Sequence, residues 1–161
     1  MNASSRTSHS PAETERFGEA LAPALARGDL VALVGELGAG KTRFVTGLAC
    51  ALGCGARVRS PSFAIVNEYH GRLLLLHLDL YRLAAADTET LGLEEYLERG
   101  ALVVEWGDRL PARHLAEALV LSFAGDGETR VVTASAAGGR GRALLEEWIR
   151  AAGTPRLEGT W

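Results

Sequence analysis

One stretch of eight residues has the composition and spacing needed to hold the phosphates of a nucleotide. It runs from Gly35 to Thr42 and reads Gly-Glu-Leu-Gly-Ala-Gly-Lys-Thr, which matches Gly-x4-Gly-Lys-Ser/Thr. In this pattern the glycines let backbone N–H groups point at phosphate oxygens, the lysine reaches the terminal phosphates and the hydroxyl binds Mg²⁺. We therefore predict a nucleotide- and Mg²⁺-binding loop whose contacts come from Glu36, Leu37, Gly38, Ala39, Gly40, Lys41, Thr42 and Arg43.

The residues on either side provide the strand and the helix that such a loop requires. Leu30 to Val34 form a short apolar run typical of a buried parallel strand. After the loop, apolar residues recur at helical spacing up to a stop signal at Gly53; they are Phe44, Val45, Leu48 and Leu52. The helix N-terminus would add its partial positive charge to the loop.

Lys41 is the single lysine among 17 basic residues, the other 16 being arginine. A compact ammonium on a flexible stem suits a place among phosphates better than a planar guanidinium does. The alternative is a codon bias towards arginine that spared this position by chance. Arg43 and Arg82 are further candidates for phosphate or RNA contacts, although a solvated surface charge is the more common role.

Two apolar runs each end in an acid. Asp79 follows the run that starts at Leu73, and Glu105 follows Ala101 to Val104. Acids at such strand ends can approach Mg²⁺ directly or through water, and Glu105 is also a candidate for orienting a water molecule. The alternative is that each merely marks a polar strand end. His77 shares a strand face with Asp79, either supporting it or serving as an ordinary sheet histidine.

Bulk composition excludes several classes of protein. The chain has 161 residues, 47% of them hydrophobic, with a net charge of −3 and a pI near 5.8. The length and hydrophobic content fit one domain. The net charge gives no overall positive potential for binding nucleic acid, and no apolar run reaches membrane-spanning length. Two cysteines are too few for a zinc site, and the polar start shows no secretory signal. We expect a cytoplasmic protein that does not bind membranes.

Residue order predicts a single P-loop NTPase-like α/β domain over residues 11–153. It has a mainly parallel central sheet with antiparallel hairpins and helices on both faces. Residues 1–10 are expected to be disordered and residues 154–161 to form a loose tail. Further expectations are a helix over Pro11 to Leu25, hairpins around His70–Arg72 and Gly125–Gly127, a helix capped by Asp87 or Thr88, and a flexible joint at Gly138–Gly141.

Several motifs together resemble the bacterial threonylcarbamoyladenosine biosynthesis protein family TsaE. Besides the phosphate loop they are Ser-Pro-Ser-Phe at Ser60, Val-Asn-Glu-Tyr at Val66, His-Leu-Asp-Leu-Tyr-Arg-Leu at His77, Glu-Glu-Tyr-Leu at Glu94 and Val-Val-Glu-Trp at Val103. The resemblance runs from about Glu13 to Ala136. The His-x-Asp-Leu-Tyr-Arg and Val-Glu-Trp elements are far more specific than the loop.

The resemblance implies an ATPase, slow alone, that works with TsaB-like and TsaD-like proteins in threonylcarbamoyl transfer to adenosine beside the anticodon of certain tRNAs, with tRNA reached through the complex. It also implies that Thr42 and Glu105 bind Mg²⁺ and that Lys41, Asp79 and Glu105 are catalytic. The segment from Ser60 to Phe63 resembles a nucleotide-responsive switch.

Two departures from the family pattern and two rival functions accompany this interpretation. The family often has Thr where Ser62 stands and Pro where Gly107 stands; serine keeps the hydroxyl, whereas glycine loosens the turn after Trp106.

One rival is a small-molecule kinase, although no arginine-rich lid or acceptor pocket is evident. The other is a switch protein that binds ATP without hydrolysing it.

Overall fold

Apolar strands alternate with amphipathic helices along the chain. The computed structural model describes residues 2–36, 38, 40–55, 57–59, 66–81, 83, 88–125 and 127–152. The strands in this part are β1 (Asn2–Ser8), β2 (Leu30–Val34), β3 (Val66–His70), β4 (Leu74–Asp79), β5 (Ala101–Glu105), β6 (Leu119–Ala124) and β7 (Arg130–Ala136). Its helices are α1 (Pro11–Leu21), α2 (Lys41–Ala51), α3 (Leu93–Arg99), α4 (Ala112–Leu115) and α5 (Gly139–Ala152), with 3-10 turns at Ala22–Ala24 and Gly107–Arg109.

The strands form one sheet in the order β1-β7-β6-β2-β5-β4-β3. The four central strands, β6, β2, β5 and β4, are parallel, and the remaining pairs are antiparallel. The carboxyl ends of β2, β4 and β5 therefore meet at one edge, where parallel α/β sheets place their ligands. The predicted fold class is confirmed, including both antiparallel hairpins.

Helices cover both faces of the sheet. α1, α2 and α5 pack on one apolar cluster, which takes Val31 and Leu33 from β2. α3 and α4 pack on a second cluster, which takes Leu30 and Ala32 from the same strand. This alternation of neighbouring side chains is what burial on both faces requires. None of the helices in the described ranges is long and apolar enough to cross a membrane.

The expected disorder of residues 1–10 is wrong for residues 2–10, and residue 1 lies outside the described residues. Asn2–Ser8 is the edge strand β1, paired antiparallel with β7, and the Ser5 hydroxyl lies 2.9 Å from that of Thr133. Ser10 then caps α1 by accepting a hydrogen bond from the N–H of Glu13 at 3.1 Å. A polar strand at a sheet edge needs no alternating apolar pattern, which is why composition alone suggested disorder.

Two local expectations are also corrected. The helix expected to be capped at Asp87 or Thr88 begins only at Leu93, after Gly92; Thr88 instead donates to the carbonyl of Arg109, and position 87 lies outside the described residues. The expected flexible joint at Gly138–Gly141 is largely the first turn of α5. The expected loose tail, 154–161, lies outside the described residues.

An ion pair between a buried carboxylate and a half-exposed guanidinium holds the start of α5. Asp29 is 2% exposed and accepts hydrogen bonds from the Ala26 N–H and from two guanidinium nitrogens of Arg140, at 2.7 and 2.8 Å. The hydrogen bond with Asp29 is the main cause that raises the pKa of Arg140. A helix that sequence alone suggested was loosely attached is therefore fixed at its first turn.

Asp29→Asn tests this attachment. Asparagine replaces one carboxylate oxygen, which accepts hydrogen bonds, by an NH₂ group that faces the donors of Ala26 or Arg140. We therefore expect a loss of about 2 kcal/mol in the free energy of unfolding. For a chain of this size that corresponds to roughly 4–8 °C in Tm. Glu128→Gln, at an exposed position, is the control in thermal unfolding and should change Tm little. An unchanged Tm in Asp29→Asn would show that the pair does not stabilise the fold.

Candidate nucleotide-binding site

The glycine-rich loop joins a strand end to a helix start, as predicted. β2 ends at Val34 and α2 begins at Lys41, with Gly40 as the residue before the helix. Gly40 has φ = 102°, a conformation that residues with a Cβ rarely adopt. The first N–H groups of α2 have no partners within the helix and are available to an anion. Of the predicted loop contacts, Leu37 and Ala39 lie outside the described residues.

Lys41 is held inside the loop. Its side chain is nearly buried, and Nζ donates to the carbonyl of Gly35 at 2.6 Å and lies 4.2 Å from the centroid of the Trp106 ring. Burial lowers the pKa of Lys41, and nearby carboxylates act in the opposite sense; they belong to Glu105, Asp79, Asp108 and Glu36. The ammonium is therefore desolvated and pre-positioned, the condition in which it interacts most strongly with an anion.

Glu105 connects the helix to the sheet. It is the last residue of β5 and is 4% exposed, with Oε2 located 2.7 Å from Nε2 of His77 and 3.4 Å from the Thr42 hydroxyl. Nδ1 of His77 lies 3.3 Å from the hydroxyl of Tyr69. His77 was expected either to support Asp79 or to be an ordinary sheet histidine. In the structure its imidazole contacts Glu105 instead of Asp79.

Asp79 reaches the same edge from the neighbouring strand. It is the last residue of β4, and its Cα is paired with that of Glu105 in the parallel register. Its Oδ1 accepts a hydrogen bond from the N–H of Tyr81 at 2.8 Å, which fixes the chain as it leaves the strand. Both strand-end acids therefore lie at the same edge of the sheet, and Asp79 contributes to the field at Lys41; the roles of both acids towards Mg²⁺ and water stay predictions.

The oxygen atoms at this edge of the sheet are suitable ligands for Mg²⁺. They are the hydroxyl of Thr42 and the carboxylates of Glu105 and Asp79, all oxygen ligands of the kind a hard cation prefers. Within the described ranges, no three His, Cys, Asp or Glu side chains converge as a metal cluster. An ion here would therefore complete its shell with water and phosphate oxygens, as Mg²⁺ commonly does. Cys50 and Cys54 are free thiols.

Trp106 has an unusual backbone. Its φ of 60° is the one positive value found at a non-glycine residue in the described part of the chain. Its ring contacts Lys41 and lies 5.1 Å from the ring of Tyr81 and 5.3 Å from the guanidinium of Arg109. Such strain is retained where surrounding contacts enforce it, often at functional sites. Sequence reasoning placed Trp106 in a motif without revealing this geometry.

Arg109 holds the loop that follows β4 beside this tryptophan. Its guanidinium donates to the carbonyls of Leu80 at 3.0 Å, Tyr81 at 2.5 Å and Leu83 at 3.2 Å. Sequence reasoning missed Arg109, because nothing in its local pattern shows that a 3-10 turn will aim it at a loop 26 to 29 residues earlier. Arg109 therefore fixes the segment next to Asp79.

Arg130 approaches the phosphate loop from the other side. It begins β7, and β6 with its hairpin lies on the side of β2 opposite to β5. One guanidinium nitrogen donates to the carbonyl of Gly38 at 2.7 Å. Its Nε is buried and has no acceptor among the residues that the structure describes. The guanidinium also donates to the carbonyls of Gly127 and Thr129, and sequence reasoning did not identify Arg130 as a residue that contacts the loop.

The side chain of Arg43 pairs with α1 and not with a described residue of the phosphate loop. Its side chain is more than half exposed and pairs with Glu15 of α1 at 2.7 Å, so its predicted nucleotide contact stays a prediction beside the simpler role of a surface charge. Next to it lies an open cleft of about 420 Å³ whose lining is Thr42, Arg43, Thr46, Ala49, Cys50, Cys54, Arg57 and Val58. Ser60 to Phe63 and Arg82, two further expectations, fall outside the described residues.

Comparison with known proteins gives a consistent result. The family model "Threonylcarbamoyl adenosine biosynthesis protein TsaE" matches residues 8–132. The tRNA threonylcarbamoyladenosine biosynthesis protein TsaE of Bacillus subtilis (strain 168) is 41% identical over 146 residues, or 87% of this chain and 90% of that protein. The protein of the same name from Treponema pallidum (strain Nichols) is 41% identical over 132 residues, covering 79% and 97%.

A solved structure agrees as well. The crystal structure of Bacillus subtilis YdiB superposes with a TM-score of 0.76 at 36% sequence identity, covering 92% of this chain and 95% of that one. Lys41, Asp79 and Glu105 all lie within residues 8–132, the range that the family model matches. This chain belongs to the TsaE family.

Proposed function

We propose that this chain binds and hydrolyses Mg²⁺–ATP as a cytoplasmic subunit of tRNA threonylcarbamoyladenosine biosynthesis. It would act with TsaB-like and TsaD-like proteins and meet tRNA through that complex. The observation that carries the proposal is the meeting of Lys41 and Thr42, at the start of α2, with Asp79 and Glu105, at the ends of two adjacent parallel strands. The names of the family and of its relatives supply the pathway.

Each group has a role that follows from its chemistry. Backbone N–H groups of the loop and of the first turn of α2 bind phosphate oxygens. Lys41, which the carbonyl of Gly35 holds within the loop, donates to the terminal phosphates, where its charge stabilises the transition state. Thr42 and Glu105 would hold Mg²⁺, which would neutralise charge on the phosphates. Asp79 would orient a water molecule at the same edge of the sheet.

The deciding experiment measures phosphate release from Mg²⁺–ATP by the purified chain, alone and with its TsaB-like and TsaD-like partners, with Lys41→Ala as control. Release that rises with the partners and is lost in the variant supports the proposal. Binding without release, even with active partners, would indicate an ATP-dependent switch instead. A phosphorylated small-molecule product would indicate a kinase.

Arg130→Ala is expected to weaken nucleotide binding. The side chain reaches the loop from the side of β2 opposite to Glu105, and its guanidinium, which donates to the carbonyl of Gly38, can donate to a phosphate bound in that loop. Loss of one charge-assisted hydrogen bond should raise the Kd for ATP by about tenfold. Calorimetric titration with ATP measures this. The control is Arg142→Ala, on the exposed side of α5, and equal Kd values for both variants would exclude Arg130 as a contact.

A further inference from the structure

The guanidinium of Arg109 joins the two loops that follow β4 and β5. Its Nη1 atom lies 3.0 Å from the carbonyl oxygen of Leu80, 2.5 Å from that of Tyr81 and 3.2 Å from that of Leu83. Arg109 itself belongs to the 3-10 turn after β5, and its backbone N–H donates to the carbonyl of Trp106 at 3.1 Å. One side chain therefore links the loop after one strand-end acid to the turn after the other.

Tyr81 connects Arg109 to Asp79 through its own backbone. Its carbonyl accepts from Arg109, and its N–H donates to Oδ1 of Asp79 at 2.8 Å. Because both groups belong to one residue, the guanidinium that holds the carbonyl also fixes the N–H that holds the carboxylate. The ring of Tyr81 lies 5.1 Å from that of Trp106, which in turn contacts Lys41. The contacts of Arg109 thus extend to two sides of the nucleotide site.

We propose that Arg109 is a positioning residue for ATP hydrolysis, an inference that rests on the proposed function. Carbonyl oxygens that converge on one point need a donor between them, and without it they turn towards water. Asp79 and Trp106 would then lose the arrangement that they have beside Lys41. Lys41 keeps its own hydrogen bond to the carbonyl of Gly35, and α2 still presents its first N–H groups. Arg109 therefore acts on the hydrolytic step and not on the affinity for nucleotide.

A single nitrogen atom makes all three carbonyl contacts, and this predicts how substitutions rank. Nη1 of a guanidinium carries two hydrogens, whereas the ammonium of lysine carries three on a flexible stem. Arg109→Lys should therefore keep the loop in place, and Arg109→Ala should not. Arg113→Ala is the matched control for loss of positive charge, because Arg113 lies in the neighbouring helix α4, is exposed and pairs at the surface with Glu89 at 2.7 Å.

The first test needs neither nucleotide nor metal. Solvent exchange of the Tyr81 N–H, measured by NMR, reports its hydrogen bond to Asp79. We expect this exchange to be about tenfold faster in Arg109→Ala, because a released hydrogen bond opens locally, and close to wild type in Arg109→Lys and Arg113→Ala. The indole N–H signal of Trp148, which is bonded within the core, is the internal reference and should stay unchanged in every variant.

The second test separates turnover from binding. Phosphate release is measured over a range of Mg²⁺–ATP concentrations with the partner proteins, and ADP affinity is measured by calorimetry. We expect Arg109→Ala to lower kcat by about 10- to 100-fold, the cost of a small misplacement of groups around the reacting atoms, with KM and the Kd for ADP within about twofold of wild type. Arg109→Lys should recover most of the loss, and Arg113→Ala should show none.

The outcomes separate this inference from the proposed function. If the wild type releases phosphate and Arg109→Ala leaves kcat unchanged, the positioning role is wrong and the proposed function stands, whether or not the exchange of Tyr81 changes. If kcat, ADP affinity, Tm and the Trp148 signal all change, in the lysine variant as in the alanine variant, Arg109 is a general structural support and the inference is likewise wrong. If the wild type releases no phosphate with active partners, the hydrolysis in the proposed function fails, and the positioning role fails with it.

Discussion

Replacing Lys41 with methionine is expected to reduce ATP hydrolysis by roughly 10²–10³-fold, the usual cost of removing one pre-positioned group that stabilises transition-state charge. The side chain already lies beneath the loop, 2.6 Å from the carbonyl of Gly35 and against the ring of Trp106, in a desolvated setting. No other lysine occurs in the chain to substitute for it. The measurement is phosphate release at saturating ATP in the presence of the partner proteins.

The same change is expected to leave the fold at least as stable as before. Burial lowers the pKa of Lys41, so the charged form is less favourable in the folded than in the unfolded chain. This penalty is fully present at pH values below the lowered pKa of the folded chain. It disappears as pH rises past the ordinary pKa of lysine. Methionine keeps an unbranched apolar stem without the charge, so Tm at neutral pH should be equal or higher.

Lys41→Arg provides the sharper comparison. It keeps the positive charge but brings a planar, bulkier group to a buried site. We expect Lys41→Arg to lose nearly as much ATP hydrolysis as Lys41→Met. Arg142→Ala, on an exposed part of α5, controls for a general loss of basic charge. Near wild-type activity in Lys41→Arg would mean that charge alone suffices and that the single lysine reflects composition rather than chemistry.

Sequence reasoning succeeded where a local pattern sets the structure. The apolar run of β2, the glycines before Lys41 and the helical spacing that follows are all local, and each matches an observed element. Asp79 and Glu105 were placed correctly because parallel strands bring their carboxyl ends to a common edge. In these cases secondary structure and topology largely determine position.

Contacts made across the sheet or between distant loops could not be predicted in this way. That His77 bonds to Glu105 depends on the rotamers of two buried side chains on neighbouring strands. Arg130 reaches Gly38 across 92 positions of sequence, through the twist of a hairpin. The polar strand β1 exists because β7 offers an open edge. Such features arise from tertiary packing, which overrides the local signal.

The second large effect is expected from a glycine far from the chemistry. Gly47 lies in the middle of α2, and a Cβ built there would come within 1.8 Å of the carbonyl oxygen of Glu15 in α1. The reciprocal position, Gly18 of α1, would place a Cβ 2.1 Å from the carbonyl oxygen of Phe44. The two backbones are therefore in direct contact, and no flexible side chain can move aside.

Gly47→Ala should consequently lower the free energy of unfolding by about 3 kcal/mol, the upper part of the range for overpacking a core. In a chain of this size the loss corresponds to roughly 6–12 °C in Tm, measured by thermal unfolding. Helix propensity alone predicts the opposite sign, because alanine is favoured over glycine within a helix by about 1 kcal/mol. The sign of the change therefore decides between packing and propensity.

Gly55→Ala is the matched control, since a Cβ there meets no atom within 4 Å among the described residues. It should change Tm little, and a drop equal to that of Gly47→Ala would remove the packing explanation. α2 also begins with Lys41 and Thr42, so displacing it from α1 should shift the phosphate loop against Glu105. A weaker affinity for ATP in Gly47→Ala, measured below its Tm, is therefore expected to accompany the loss of stability.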